Sequence, residues 1–267
     1  MENLYFELTS ELNAEGPIAA LASGQAVVFY RLAMMSKDGD WILMETPAAC
    51  RRVLDVLTRH GAHYRPGAPL DVRWLAAGWS SHFELFDPKG RRIRCDFLTR
   101  PPRVPIAELP ALFTATAEPT LVVPIEPLIR MKQTQRAKDY PVIGELARLL
   151  PPEREIELTT DPDRILALAP HHGGGSGRRA VQAAREGRSR DEVVVELARE
   201  ADRMQAEDRA RLERFRTAAE RFLHEFHASG IADQELPEAH QRTVDLALRT
   251  LPLDPLAKGG PSHGNAQ

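Results

Sequence analysis

Residues 82–98 contain two runs in which apolar and polar side chains alternate, separated by Asp87-Pro88-Lys89-Gly90. Successive side chains leave a strand on opposite sides, so period-two alternation marks strands with one buried face. Asp-Pro-x-Gly is hairpin-turn chemistry, with proline presetting φ and glycine free to take the left-handed region. The pattern predicts strands over 82–86 and 91–98, with Ile93, Cys95 and Phe97 on one face and Arg92, Arg94 and Asp96 on the other. An apolar sheet face must be covered, so this hairpin commits the chain to a sheet packed against other elements.

The covering elements are legible upstream and downstream. Leu4, Leu8 and Leu12 recur at i+4 and predict a helix, with Gly16 as its C′ glycine. Residues 18–22 read as a short buried strand, Gly24 opens a helix over 26–33, and 41–44 reads as a strand. Thr46-Pro47 is an N-cap followed by proline at N1, beginning a helix that Gly61 closes. Residues 72–75 and 121–125 read as further short strands. Two helices follow, over 126–137 and 139–150, the second stopped by Pro151-Pro152. Strands alternate irregularly with helices, which predicts an α+β fold with a small mixed sheet and flanking helices.

The composition shifts near residue 171. His171 to Gly177 (HHGGGSG) is linker-like, and 188–228 reads as one long helix. Its apolar seam runs Val194, Leu197, Ala201, Met204, then slips phase and resumes as Leu212, Phe215, Ala219, Phe222, Phe226. A last helix is expected over 238–251. The expected organisation is therefore a domain over 1–150, a connecting segment and Gly-rich linker over 151–187, a helical C-terminal region over 188–251 and a disordered tail over 252–267.

A formal net charge of −3 provides no global field toward nucleic acid or a membrane surface. Cys50 and Cys95 are the only cysteines, which fits a reducing compartment and argues against a disulfide scaffold or a zinc site. Glu2, Glu7, Glu11 and Glu15 exclude a secretory apolar core, and no run reaches transmembrane length. The expectation is a cytoplasmic protein with no membrane partner.

Residues 34–43 read Met-Met-Ser-Lys-Asp-Gly-Asp-Trp-Ile-Leu. In a strand, Asp38 and Asp40 project from one face and repel each other unless a cation lies between them. Hard carboxylate ligands suit Mg²⁺ or Mn²⁺, the ions of phosphoryl transfer. The competing interpretation is a polar turn leading into a strand. Three further stretches accompany this pair: Leu-Ala-Ser-Gly-Gln-Ala-Val (21–27), Arg-Ile-Arg-Cys-Asp-Phe-Leu (92–98) and Glu-Pro-Leu-Ile-Arg-Met-Lys-Gln-Thr-Gln-Arg-Ala-Lys-Asp-Tyr (126–140).

In that order, over about residues 4–150, the four stretches resemble the nucleotidyltransferases of the DNA polymerase β-like superfamily, particularly the bacterial stand-alone and abortive-infection toxin type. The resemblance implies a nucleotidyltransferase core that transfers NMP from an NTP to a hydroxyl acceptor: RNA such as tRNA, a protein or a small molecule. It implies that Asp38, Asp40 and Asp96 are the catalytic and metal-binding acids. It implies that Ser23 and Gly24 form the turn that meets nucleotide phosphates. Lys132 and Arg136, i and i+4 on one helix, become nucleotide-binding, with Lys132 on the triphosphate. Asp139 becomes a supporting, orienting residue.

The chain departs from the family pattern at three places: Ser23 where the turn has glycine, Gly39 where an apolar residue separates the acids, and Met34 where an arginine precedes them. Arg31 is a candidate substitute for that arginine. These departures motivate an alternative, a catalytically degenerate nucleotide- or partner-binding module. A third reading is an interaction protein that works through the 188–228 helix, which could also form a homo-oligomer. Four other features were weighed. His60 and His63 lack a third ligand, Ser80 and Ser81 lack a nucleophile elbow, and 173–177 lacks the Lys-Ser/Thr of a phosphate loop. Arg178, Arg179, Arg185, Arg188 and Arg190 read as a salt-bridged surface or as an arm for RNA phosphates.

Overall fold

The computed structural model describes residues 3–114 and 120–256. The chain begins with α1 (Leu4–Leu12), β1 (Ala19–Leu21), α2 (Ser23–Phe29), β2 (Asp38–Leu43) and α3 (Pro47–Arg59). There follow β3 (His63–Arg65), α4 (Val72–Leu75), β4 (Ser80–Phe86) and β5 (Arg92–Leu98). A 3-10 segment over Ile106–Phe113 leads to α5 (Ile125–Lys132), α6 (Tyr140–Ala147), α7 (Pro152–Leu158), α8 (Pro162–His172) and α9 (Arg179–Arg185). The chain closes with α10 (Arg190–Ala228) and α11 (Leu236–Thr250).

The strands form one five-stranded sheet in the order β1-β2-β5-β4-β3. Only β2 and β5 run parallel; the other neighbours are antiparallel. The fold is α+β with a small mixed sheet and a long helical C-terminal region, as expected. The hairpin forms about the expected turn, where Gly90 N–H donates to Asp87 O at 2.8 Å and Gly90 takes φ of 73°.

One face of the sheet is the core. Trp41, Phe97, Phe83 and Tyr64 are each at most 1% exposed. Trp41 stacks on Phe97 with centroids 5.1 Å apart, Phe83 meets Phe97 edge-on at 5.9 Å, and Tyr64 sits 4.4 Å from Phe83. Burying each such ring contributes on the order of 2–3 kcal/mol. Helix α1 locks onto this row: Trp41 Nε1 donates to Thr9 Oγ1 at 2.8 Å, and Tyr5 OH donates to Lys37 O at 2.7 Å. Gly39 is what admits the two rings. A Cβ there would lie 2.5 Å from both Trp41 and Tyr5 ring carbons. The glycine between the two aspartates is thus a packing requirement.

Several local expectations are corrected. Residues 72–75 are helical, because Asp71 caps the segment by accepting from Arg73 N–H at 2.9 Å. Residues 121–125 give only a single parallel bridge, Leu21 to Val122. Helix α1 ends at Leu12, three residues before Gly16's neighbour, because the Asn13 amide caps it and also holds Ile18 and Ala19. Helix α2 ends at Phe29, not at 33. Arg31 N–H and Leu32 N–H bond back to Val28 O and Val27 O in a Schellman arrangement, with Arg31 left-handed at φ 61°.

The segment expected as linker is largely helical. Ile156, Ile165, Leu168, Val181 and Val193 form a small apolar cluster joining α7, α8, α9 and the start of α10. His171 and His172 close α8, and Gly173 turns tightly; a Cβ there would lie 2.8 Å from Ala169 O. The seam of α10 is shared between two clusters. Val193, not Val194, packs in the small cluster, while Phe222 and Phe226 pack in the main core. Asp208 between them accepts from Gln135 N–H at 2.9 Å. One helix thus serves two cores at different points along its length. Residues 251–253 are pinned by Trp74 and Trp79 indole N–H groups. The rest of the expected tail, from 257, lies outside the described residues.

Candidate functional site

The polar side chains of the sheet are ordered by register. Asp40 is paired with Asp96, Asp96 with His82, and His82 with Arg65. One step along the strands lies a second row: Asp38, Arg94, Glu84, His63. Asp40 and Asp96 therefore meet because β2 and β5 are parallel neighbours. Their alignment places three carboxylates on one patch.

The patch is unevenly neutralised. Asp96 has two basic neighbours: His82 Nδ1 stands 2.8 Å from its Oδ1, and an Arg65 amino group donates at 3.3 Å. The His82 contact is close but off the line of a hydrogen bond, so Nδ1 is left without a hydrogen-bond partner. Glu84 lies between Arg65 at 3.8 Å and Arg92 at 3.9 Å. Among the described residues Asp38 has only Arg94 as an ion-pair partner, at 3.6 Å, and its buried Oδ1 has no hydrogen-bond partner. Asp40 has no ion pair among the described residues. Burial, then the charges of Asp96 and Asp38, push its pKa up to about 6, against the weaker pull of Arg136 and Lys132.

Those two cations arrive from the far side. Helix α2 packs on β2 and carries α5 beside it. Lys132 ends α5, with its side chain only 11% exposed, and burial lowers its pKa while Asp139 and Asp40 raise it. Arg136 does not share that helix, contrary to the i, i+4 expectation. Gln133 leaves helical geometry at ψ 61°, Asp208 takes the Gln135 N–H, and Arg136 caps a separate 3-10 turn over Ala137–Asp139. Asp139 gathers the turn: it accepts from Thr134 Oγ1 at 3.0 Å and lies 3.9 Å from Lys132 and 3.7 Å from Arg136.

The Ser23-Gly24 turn adjoins Asp40, since Ala22 N–H donates to Asp40 O at 2.8 Å. Ser23 takes φ 47°, the left-handed region that favours glycine, so the family's glycine at this place has a conformational reason. Gly24 is needed for close approach: a Cβ would lie 2.2 Å from Ser36 Oγ. Buried Gln25 ties the same loop down through Ser36 O at 2.9 Å. Met34 is 97% exposed and contributes nothing to the patch. Arg31 lies past the end of α2, not on it.

The donor set is all carboxylate, which suits a hard divalent ion. Among the described residues no group of three His, Cys, Asp or Glu side chains is disposed to hold a metal. Asp96 is already engaged by His82 and Arg65. Asp38 and Asp40, one with an orphaned oxygen and one without any cationic contact, fit an ion held by two carboxylates whose remaining positions go to phosphates and water. His60 and His63 part company, one to Glu11 and one toward Gln234 O. Three of the five arginines in the basic stretch are spent on carboxylates: Arg178 on Glu200, Arg188 on Glu186 and Arg190 on Asp163.

His82, Arg65 and Glu84 join the carboxylate patch, and the sequence alone did not single them out for it. The strands close about Lys89, with Phe86 opposite Arg92, and this register pairs His82 with Asp96; closure about the four residues 87–90 would have put Cys95 there. Arg65 lies on a three-residue strand too short to show alternation.

No family model matches the chain, and no curated protein matches it. Among solved structures, it is similar to a "putative nucleotidyltransferase from H. pylori", at 13% identity and a TM-score of 0.39 over 78% of this chain and 94% of that one. It is also similar to JHP933 from Helicobacter pylori, at 13% identity and a TM-score of 0.39 over 79% and 93%. Among the described residues no helix is long and apolar enough to cross a membrane.

Proposed function

We propose that the chain is a nucleotidyltransferase that moves NMP from an NTP to a hydroxyl acceptor and releases pyrophosphate. The observation that carries this reading is the under-neutralised carboxylate pair Asp38 and Asp40, with Asp40 in register with Asp96 and drawn on by the charges of Lys132 and Arg136. A protein keeps like charges together, at a cost to its own stability, where a cationic ligand is to be bound. Lys132 and Arg136 hold the phosphates, with Asp139 orienting both. Asp96 drives removal of the acceptor's proton as its oxygen attacks the α-phosphorus and the bond to the departing pyrophosphate breaks. Mg²⁺ or Mn²⁺ on Asp38 and Asp40 would supply the positive charge that offsets the triphosphate and the attacking oxygen.

The test is calorimetric NTP binding with and without Mg²⁺, on the wild type and on Asp38→Ala/Asp40→Ala. Metal-dependent binding that the double variant loses is expected; no binding of any of the four NTPs sinks the reading. The prior engagement of Asp96 by His82 and Arg65 favours one second reading, a nucleotide-binding module without turnover. Metal-dependent NTP binding with no pyrophosphate release against any acceptor would select it. Assembly through α10 is a separate proposal, checked by the sedimentation mass of the full chain.

A further inference from the structure

A cavity of about 290 Å³ lies beside the carboxylate patch, between β4, the 66–68 turn and α10. Its inner wall carries Ser80 and His82, whose Oγ and Nε2 are 3.1 Å apart. The opposite edge of the same imidazole is 2.8 Å from Asp96. The cavity and the proposed reaction centre thus share one side chain. Its other walls are Trp79, Phe215 and Phe222, with Trp79 and Phe215 edge-to-face at 4.8 Å. Two glycines set its shape. A Cβ on Gly67 would lie 2.3 Å from His82 Cδ2, and one on Gly78 would lie 3.3 Å from Phe215 Cζ.

Three arginines also line it, and each is already matched. Arg100 pairs with Glu45 at 2.6 Å, Arg211 with Asp208 at 3.2 Å, and Arg216 with Glu213. A phosphate here would have to compete with these carboxylates. The chemistry is aromatic walls, a hydroxyl and an imidazole that can orient another hydroxyl, and a volume at the small end of ligand pockets.

We propose that this cavity binds the acceptor, and that the acceptor presents an uncharged, hydroxyl-bearing group of small-molecule size, not a polyanion. The proposal rests on the nucleotidyl-transfer reading above. The body of the acceptor is anchored by Ser80 and His82, and its attacking hydroxyl reaches past the imidazole to the Asp96 edge. Its oxygen forms the new bond to the α-phosphorus of the NTP, its proton passes to the Asp96 side, and pyrophosphate leaves with the electron pair of the broken bond.

The test measures pyrophosphate release from Mg²⁺–NTP with adenosine, glucose and N-acetylserine amide as uncharged probes and with mixed tRNA as the polyanion. Calorimetric NTP binding runs in parallel. Leu212→Trp narrows the rim from a position already 37% exposed, so the core is not disturbed. At least one uncharged probe should stimulate release. Leu212→Trp should lower kcat/KM for that probe about tenfold, the size of a pocket-fit effect, with NTP affinity unchanged. With NTP binding intact, three results overturn the cavity and leave nucleotidyl transfer standing: stimulation by tRNA alone, stimulation by no probe, or stimulation that Leu212→Trp does not affect. Absence of NTP binding in the wild type removes the underlying reading as well.

Discussion

Asp40→Asn should make this protein more stable at neutral pH while removing the divalent-ion binding proposed for Asp38 and Asp40. Burial and the neighbouring Asp96 and Asp38 raise the Asp40 pKa from 3.8 to about 6. A group whose folded-state pKa is raised binds its proton more tightly when folded, so its ionisation disfavours the native state. The penalty begins as pH rises past the unfolded value and is complete above about 6. At about 1.4 kcal/mol per tenfold in proton affinity, its upper bound is about 3 kcal/mol, and about 1–2 kcal/mol is expected after solvent screening at a partly exposed carboxylate. Asparagine keeps the shape and removes the charge. Urea unfolding at pH 7.5 should place Asp40→Asn about 1–2 kcal/mol above the wild type, with the gap narrowing as pH falls through 6 and closing below the unfolded value of 3.8. Mg²⁺ with NTP should stabilise the wild type and not the variant. A variant less stable than wild type at pH 7.5, or a gap that does not change with pH, would refute the electrostatic reasoning.

Gly39→Ala should destabilise by about 1–3 kcal/mol, because the new methyl meets the Trp41 and Tyr5 rings at 2.5 Å; thermal unfolding reads this directly. Arg31→Gly should raise stability by about 0.5–1 kcal/mol, since Arg31 holds φ 61° at a C′ position where glycine is unstrained; chemical denaturation with an unchanged m-value would confirm it. Lys132→Met should weaken Mg²⁺–NTP binding by roughly 10- to 100-fold, the weight of one charge-assisted contact, with a melting temperature no lower than wild type, because the buried ammonium's cost is removed. Equal NTP affinity in that variant would remove Lys132 from the site.

The local parts of this structure were written into neighbouring residues. The hairpin followed from alternation and from Asp87-Pro88-Lys89-Gly90. The start of α3 followed from Thr46-Pro47, whose hydroxyl accepts from Ala49 N–H at 3.1 Å. The face shared by Asp38 and Asp40 followed from strand periodicity alone. Where sequence reasoning failed, the deciding contacts were distant in the chain. Arg136 leaves the α5 helix because Asp208, 73 residues from Gln135, takes that backbone donor. Gly39 looked like a weak point because Tyr5 and Trp41 are needed to see what fills it. Periodicity said that Asp96 lay on a polar face, but could not say that the face was shared with Asp40. That depended on β5 inserting parallel beside β2, a pairing that no turn joins and no local spacing encodes. The same insertion put His82 between the acids and the cavity under α10. Residue spacing thus determined which side chains share a strand face, because that geometry repeats every two residues. Only the tertiary structure decided which faces meet, because strand order is chosen by burial of the whole sheet.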